Sequence, residues 1–142
     1  MTVTVPLHFQ PDPHNGVPVY RQLMDQVKYY LASGALRPGD QLPSIRELAR
    51  ALRINPATVV KAYTELEHEG ILDRQQGRGV FVSGARKPLP KRALEAALRQ
   101  RARQLAVEAL QMGADPDTAL RLLGEELRAI APRDRRPKEA AE

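Results

Sequence analysis

Residues 44–61 read SIRELARALRINPATVVK, and they carry the strongest structural signals in the chain. Its first four residues have the form of a capping box, in which Ser44 caps a helix and Glu47 reaches back to the cap. Only two residues separate the end of that helix from Asn55 and Pro56, a capping residue followed by proline at the first helical position. The stretch therefore predicts two helices joined by a tight turn, as in a helix-turn-helix.

The flanking sequence supplies the other elements of a winged domain. Before the pair, apolar residues recur at helical spacing from Pro18 until Ser33 and Gly34 end the pattern. The second helix is expected to run to about Glu69, and strand-like runs at residues 71–74 and 79–82 then flank a basic, glycine-rich tip. The sequence predicts a mostly α fold with a small β-hairpin wing, followed by two C-terminal helices.

The C-terminal part returns to helical periodicity. Its first amphipathic helix is expected to end near Gly113, and the second begins at the cap formed by Asp115 and Pro116. Apolar stripes on such helices need a partner, and the economical partner is the same pair from another chain. The predicted dimerisation residues are Leu94, Leu98, Leu105, Leu120, Leu123 and Leu127.

Changes in composition divide the chain into five segments. They are an N-terminal arm at residues 1–16, a winged helix-turn-helix domain at 17–84, a linker at 85–90, a helical dimerisation domain at 91–131 and a disordered tail at 132–142. We expect the arm to be extended, with a short strand at residues 5–10.

Charge and composition narrow the function classes. The chain has 142 residues, a net charge of +5 and a pI near 9.9, which is compatible with a polyanionic partner. Most of this excess lies in the C-terminal part of the chain, but between Arg37 and Lys61 five basic residues face two acidic ones, and this local asymmetry favours a polyanion at the helix pair. The lack of cysteine fits a reducing cytoplasm. Neither a signal peptide nor a membrane span is apparent, so we expect a cytoplasmic protein without a membrane partner.

Residues for catalysis are not apparent. The three histidines are scattered, and no carboxylate lies at metal-binding spacing from them. The sequence has no glycine-rich phosphate loop after a strand, no paired-carboxylate site and no Ser/His/Asp arrangement. We therefore expect no metal site, no cofactor and no enzymatic activity.

Four motifs carry a family resemblance: PVYRQL at residues 18–23, GALRPGDQLPSIRELA at 34–49, INPATV at 54–59 and GRGVFV at 77–82. Together they closely resemble the N-terminal DNA-binding domain of GntR-family repressors. The Asn-Pro-x-Thr start of the second helix and the short C-terminal region look most like the YtrA-type subgroup. The resemblance implies a sequence-specific transcription regulator, expected to be a repressor, that acts as a homodimer on double-stranded operator DNA with an inverted repeat.

The resemblance also implies which side chains approach DNA. The set comprises Arg46, Thr58 and Lys61 with Gly77, Arg78 and Gly79 of the wing, and Ser44, Asn55 and Ala57 on the same surface. Relatives usually carry a polar residue, often Asn or Arg, where this chain has Ala57. The methyl group of alanine can contact a thymine methyl but cannot hydrogen-bond a base edge, so base readout shifts toward Thr58, Lys61 and the wing.

Two alternatives stay open beside a DNA-binding regulator. A winged helix can serve as a protein-interaction module without binding DNA, although the basic set Arg46, Lys61 and Arg78 favours DNA. Larger relatives fuse this domain to an aminotransferase-like domain, which the 55 residues after Lys87 are too few to form. A small-molecule effector of unknown identity, if one exists, would bind between the C-terminal helices or at the dimer seam.

Some of these residues also have purely structural interpretations. Gly77 and Gly79 are needed for hairpin geometry in any case. Tyr20, Tyr30 and Tyr63 are expected to be core residues rather than platforms for base stacking.

Overall fold

A computed structural model describes residues 10–84 and 89–132. The elements, in chain order, are α1 (Val19–Ser33), α2 (Ile45–Leu52), α3 (Pro56–His68), β1 (Leu72–Gln75), β2 (Gly79–Val82), α4 (Lys91–Gln111) and α5 (Pro116–Ile130). They fall into two compact units, with α1 through β2 in the first and α4 and α5 in the second. The predicted fold class is confirmed. The strand expected at residues 5–10, most of the linker and almost all of the tail lie outside the described residues.

Helix α1 anchors the segment that precedes it. The Gln22 side chain lies under this segment, where its Oε1 accepts a hydrogen bond from the Asp12 amide at 2.9 Å. Its Nε2 donates to the carbonyl oxygens of Asp12 at 2.7 Å and Val17 at 2.8 Å. One side chain thus supplies the partners that an irregular backbone lacks, and it holds residues 12–17 against the start of α1.

Helices α2 and α3 begin as the sequence predicts. The capping box is complete, because the Glu47 amide donates to Ser44 Oγ at 3.0 Å and the Ser44 amide donates to Glu47 Oε1 at 2.9 Å. At the start of α3, Asn55 Oδ1 accepts from the Ala57 amide at 2.8 Å. Each cap satisfies amide groups that the helix itself leaves unpaired.

The turn between α2 and α3 depends on an unusual backbone conformation. Arg53 ends α2 in the left-handed region, with φ of 57°. The next residue, Ile54, donates its amide to the Ala49 carbonyl at 3.0 Å, which closes the turn. A residue in the left-handed conformation ends a helix and changes the chain direction within one or two residues. The two helices can therefore pack against each other with a very short connection.

The hairpin forms the wing. Strands β1 and β2 pair antiparallel, with Leu72 opposite Val82 and Gln75 opposite Gly79. The first strand starts one residue later than predicted, because the Ile71 amide donates to the Leu66 carbonyl at 2.9 Å and so completes the end of α3.

The segment before α2 lies along the outer edge of β2. The Val82 amide donates to the Asp40 carbonyl at 2.8 Å, and the Leu42 amide donates to the Val80 carbonyl at 2.9 Å. These bonds attach the wing to the chain that leads into α2, so the wing and the start of α2 are held together.

The core of the first unit lies among its three helices and the hairpin. Its largest completely enclosed side chains are Leu23, Val27, Leu36, Leu42, Leu48, Val59, Tyr63, Leu66 and Leu72. Tyr63 has no exposed surface, and its hydroxyl donates to the Pro43 carbonyl at 2.7 Å. Burial, with the negative charge of Glu47 second, raises the pKa of Tyr63 well above its usual value. Tyr63 is thus a core residue as predicted, and Tyr20 and Tyr30 pack against the core while partly exposed.

The second unit has a different character. Helices α4 and α5 bury no residue. Asp115 caps the start of α5, and its hydrogen bonds from Thr118, including one of 2.6 Å from the hydroxyl, lower the pKa of the aspartate. The six leucines named for dimerisation are between 41% and 68% exposed. Across residues 10–84 and 89–132, the helices are too short or too polar to span a bilayer.

Candidate nucleic-acid interface

The first turn of α2 presents one cation to solvent. Arg46 is exposed there, whereas Leu48 and Ala49 of the same helix are buried. Ser44 is also exposed, but its hydroxyl and its amide are both engaged in the cap with Glu47. Arg46 can therefore reach a ligand with its full side chain, whereas Ser44 serves mainly to hold the start of α2 in place.

The first two turns of α3 form the centre of the candidate site. Asn55 and Ala57 are exposed, and Thr58 is partly exposed. Val60 is 40% exposed and lies one turn after Ala57 on the same helix face, so it adds an apolar contact that the sequence analysis did not single out. A valine in the middle of a helix is buried more often than it contacts a ligand. The exposure of Val60 could therefore be recognised only once the buried face of α3 was known.

Lys61 lies on the flank of α3 that faces α1. Its Nζ sits 4.8 Å from the centre of the Tyr20 ring, within the range of a cation–π contact. Sequence reasoning placed Tyr20 in the core. The ring does pack against the core, and it also contacts the ammonium group of Lys61 on α3.

The wing tip holds the remaining predicted residues. Gly77 and Gly79 both have positive φ, of 75° and 121°, which the hairpin geometry demands. Arg78 is exposed between them, and its guanidinium carbon lies 5.6 Å from the centre of the Phe81 ring. The Gln41 side-chain amide donates to the Arg78 carbonyl at 2.9 Å. Gln41 thereby fixes the wing tip, and sequence reasoning gave it no role.

The cations of this surface differ in their charge environment from Lys28 and Arg74 elsewhere in the first unit. Lys28 pairs with Glu69 at 2.9 Å, and Arg74 pairs with Glu67 at 3.2 Å. Arg46, Lys61 and Arg78 form no ion pair with any residue in the described ranges. An unpaired cation keeps its full field, so these three side chains favour an anionic ligand.

The nine predicted residues lie in two groups. Gln41 ties the wing tip to the segment that runs into Ser44 and α2, while Asn55, Ala57, Thr58 and Lys61 share the start of α3. In the part of the chain that the structure describes, no hydrogen bond or ring contact links the two groups. A ligand that touches both must therefore be large enough to lie across them. Nor do three His, Asp or Glu side chains gather in a metal-binding cluster among those residues.

Comparisons with known proteins agree with this architecture. The family of bacterial regulatory proteins named gntR matches residues 19–82. The chain is similar to the HTH-type transcriptional repressor YtrA of Bacillus subtilis, with 39% identity over 106 residues, or 75% of this chain and 82% of that protein. It is also similar to an uncharacterised HTH-type regulator of the same organism, YhcF, with 42% identity over 46% of this chain and 54% of that one.

Solved structures resemble it as well. A transcriptional antiterminator from Listeria monocytogenes aligns with a TM-score of 0.78 and 26% identity, over 92% of this chain and 98% of that one. YtrA from Sulfolobus acidocaldarius, a GntR-family transcription factor, aligns with a TM-score of 0.53 and 31% identity, over 86% of this chain and 98% of that one. The chain therefore belongs to the GntR family of bacterial regulatory proteins, and it is a transcription regulator with a winged helix-turn-helix DNA-binding fold rather than an enzyme.

Proposed function

We propose that the chain is a repressor that binds an inverted-repeat operator as a homodimer. The observation that carries the proposal is the exposed surface formed by the starts of α2 and α3 and the wing tip. Its cations Arg46, Lys61 and Arg78 have no acidic partner in the described residues. A polyanion that spans all three elements is the ligand that such a surface fits.

In this proposal, α3 enters the major groove. The groove is about 12 Å wide and admits one helix. Thr58 and Lys61 supply polar contacts to bases or phosphates, and the methyl groups of Ala57 and Val60 contact thymine methyls. Asn55 holds the helix start, and its remaining amide hydrogens can donate to a phosphate oxygen.

The wing contacts the duplex beside the groove. Arg78 lies at its tip between two glycines, so the backbone there can approach DNA closely. A single exposed cation on a hairpin suits a phosphate or the minor groove more than a base edge in the major groove. The wing thus adds affinity and fixes orientation, while α3 reads sequence.

Helices α4 and α5 are the proposed dimer interface. They bury no residue in one chain, and their exposed leucines form apolar stripes. A contiguous stripe of exposed large apolar side chains is unusual on a monomer, and its removal from water is stabilising at roughly 25 cal/mol per Å². A two-fold dimer buries the same stripe on both copies and presents two recognition helices, which requires an inverted repeat in the DNA.

A binding titration with full-length variants tests the proposal. The probe is a labelled duplex that the wild-type protein selects from a random-sequence pool. We expect the wild type to sediment as a dimer and to protect both half-sites. Leu98→Asp or Leu105→Asp should yield a folded monomer that binds the same duplex weakly. Selection of no sequence at any salt concentration would instead favour a protein-interaction module.

A further inference from the structure

The contact between Lys61 and Tyr20 joins the candidate interface to helix α1. Tyr20 packs against the core and exposes part of its ring, and the Lys61 ammonium lies 4.8 Å from the ring centre. Lys61 itself is exposed and has no carboxylate partner in the described ranges. The long, flexible side chain of Lys61 therefore lies over the face of the Tyr20 ring, which is held in place by its packing against the core.

We propose that Tyr20 is the positioning residue for Lys61, in that its ring holds the ammonium group at the DNA-facing flank of α3 before DNA arrives. This rests on the DNA-binding function proposed above. A lysine side chain has large rotamer freedom, and part of that freedom is lost when its ammonium group binds a fixed anion. A ring that already restricts the side chain in the free protein reduces this cost and so raises affinity.

The choice of a ring rather than a carboxylate has an electrostatic consequence. Lys28 shows the other arrangement, because its ammonium group is held by Glu69 at 2.9 Å and its charge is neutralised. An aromatic ring attracts a cation through its quadrupole and carries no net charge. Lys61 is thus restricted in position while its full charge remains available to a phosphate or a base.

A double-mutant cycle on the full chain tests the proposal with the selected duplex as probe. We expect Tyr20→Leu to weaken binding about two- to fivefold, the range of an exposed cation–π contact. Tyr20→Phe keeps the ring face and should bind like the wild type. In a Lys61→Met background, Tyr20→Leu should cause no further loss, because nothing remains to position. Tyr29→Leu is the matched control, since Tyr29 is exposed on the same helix and its ring contacts Tyr30.

Two further readouts separate positioning from a structural role. In the free protein, the methylene protons of Lys61 should show a ring-current shift in nuclear magnetic resonance spectra that Tyr20→Phe keeps and Tyr20→Leu removes. Pentafluorophenylalanine at position 20 has nearly the shape of phenylalanine with a reversed quadrupole, so it should weaken binding as leucine does without disturbing the core. The comparison of phenylalanine with pentafluorophenylalanine at position 20 tests the proposal even if Tyr20→Leu fails to fold.

The contradicting results are distinct. Additive losses in the cycle, or equal binding by phenylalanine and pentafluorophenylalanine, would overturn the positioning role. An equal loss with Tyr20→Phe and Tyr20→Leu would assign the effect to the hydroxyl instead, and would also overturn it. Wild-type protein that selects no duplex would refute the DNA-binding function and the inference with it, whereas failure of the cycle alone leaves that function standing.

Discussion

The side-chain amide of Gln41 lies where a side chain on Gly79 would have to be. A Cβ placed on Gly79 would approach Gln41 Nε2 to 2.6 Å, and the same amide donates to the Arg78 carbonyl at 2.9 Å. One glutamine therefore ties the wing tip to the segment before α2, and its amide would have to move away from the Arg78 carbonyl if residue 79 carried a side chain.

Gly79→Ala should consequently damage the wing. Its φ of 121° strains any other residue, and the new methyl group meets the amide of Gln41. We expect a loss of about 1–3 kcal/mol in the free energy of unfolding, measured with urea, and weaker DNA binding. Adding Gln41→Ala should relieve the steric part and leave the strain. Gly84→Ala is the control, because nothing lies within 4 Å of a Cβ there.

At Arg53, unlike at Gly79, we expect a substitution to raise the free energy of unfolding. Arg53 holds the left-handed conformation at the turn between α2 and α3, which costs an ordinary residue about 1 kcal/mol. Arg53→Gly should therefore raise the free energy of unfolding by up to about 1 kcal/mol in the absence of DNA. Arg50→Gly, inside the last turn of α2, should lower it by roughly the same amount. If Arg53→Gly lowers the free energy of unfolding as Arg50→Gly does, the turn is not strained.

Tyr63→Phe removes a buried hydrogen bond without changing the packing. The Pro43 carbonyl then loses its 2.7 Å donor, and we expect a loss of about 1–3 kcal/mol in the free energy of unfolding at neutral pH.

The pH dependence of that loss follows from the raised pKa of Tyr63. The phenol ionises in the unfolded chain near pH 10 but stays neutral in the folded one. Its contribution is complete below that pH and declines as the pH rises above it. The gap between wild type and Tyr63→Phe in urea titrations should narrow from about pH 10 upward, and a gap that widens there would contradict the burial of the hydroxyl.

Arg46→Ala and Lys61→Ala should each weaken operator binding by about 1–3 kcal/mol if their side chains contact bases or phosphates. Arg78→Ala should act less on affinity and mainly reduce the salt dependence, as expected of a phosphate contact. Lys28→Ala removes a cation that is already paired with Glu69, so it should change binding little. Unchanged affinity for both Arg46→Ala and Lys61→Ala at physiological salt would refute the proposed docking.

The sequence predicted the elements well because their ends carry local signals. The capping box at Ser44 and the cap at Asn55 act within three residues, and both are present as expected. The contacts of Tyr20 and Gln41 were not predictable in this way. Tyr20 meets Lys61 only after α1 packs on α3, and Gln41 meets Arg78 across 37 residues of chain. Helical spacing identifies which side chains face inward, but it does not reveal which polar group a neighbouring element brings beside them.

The contacts of the six dimerisation leucines also do not follow from helical periodicity. Periodicity placed them on one face of α4 and α5, and in the single chain that face is exposed. In the proposed dimer a second copy buries this face, and helical periodicity carries no signal for which side chains of the two copies meet.

Changing the spacing of the operator half-sites tests whether the protein binds DNA as a two-fold dimer. A two-fold dimer with two recognition helices requires both half-sites on one side of the duplex, and an insertion of about five base pairs rotates one of them to the opposite side. We expect this insertion to reduce the affinity of the wild-type protein to its affinity for a single half-site, a loss of about 100-fold or more. An insertion of about ten base pairs returns both half-sites to the same side of the duplex but leaves them farther apart. Tight binding that survives the five-base-pair insertion would contradict the dimeric mechanism.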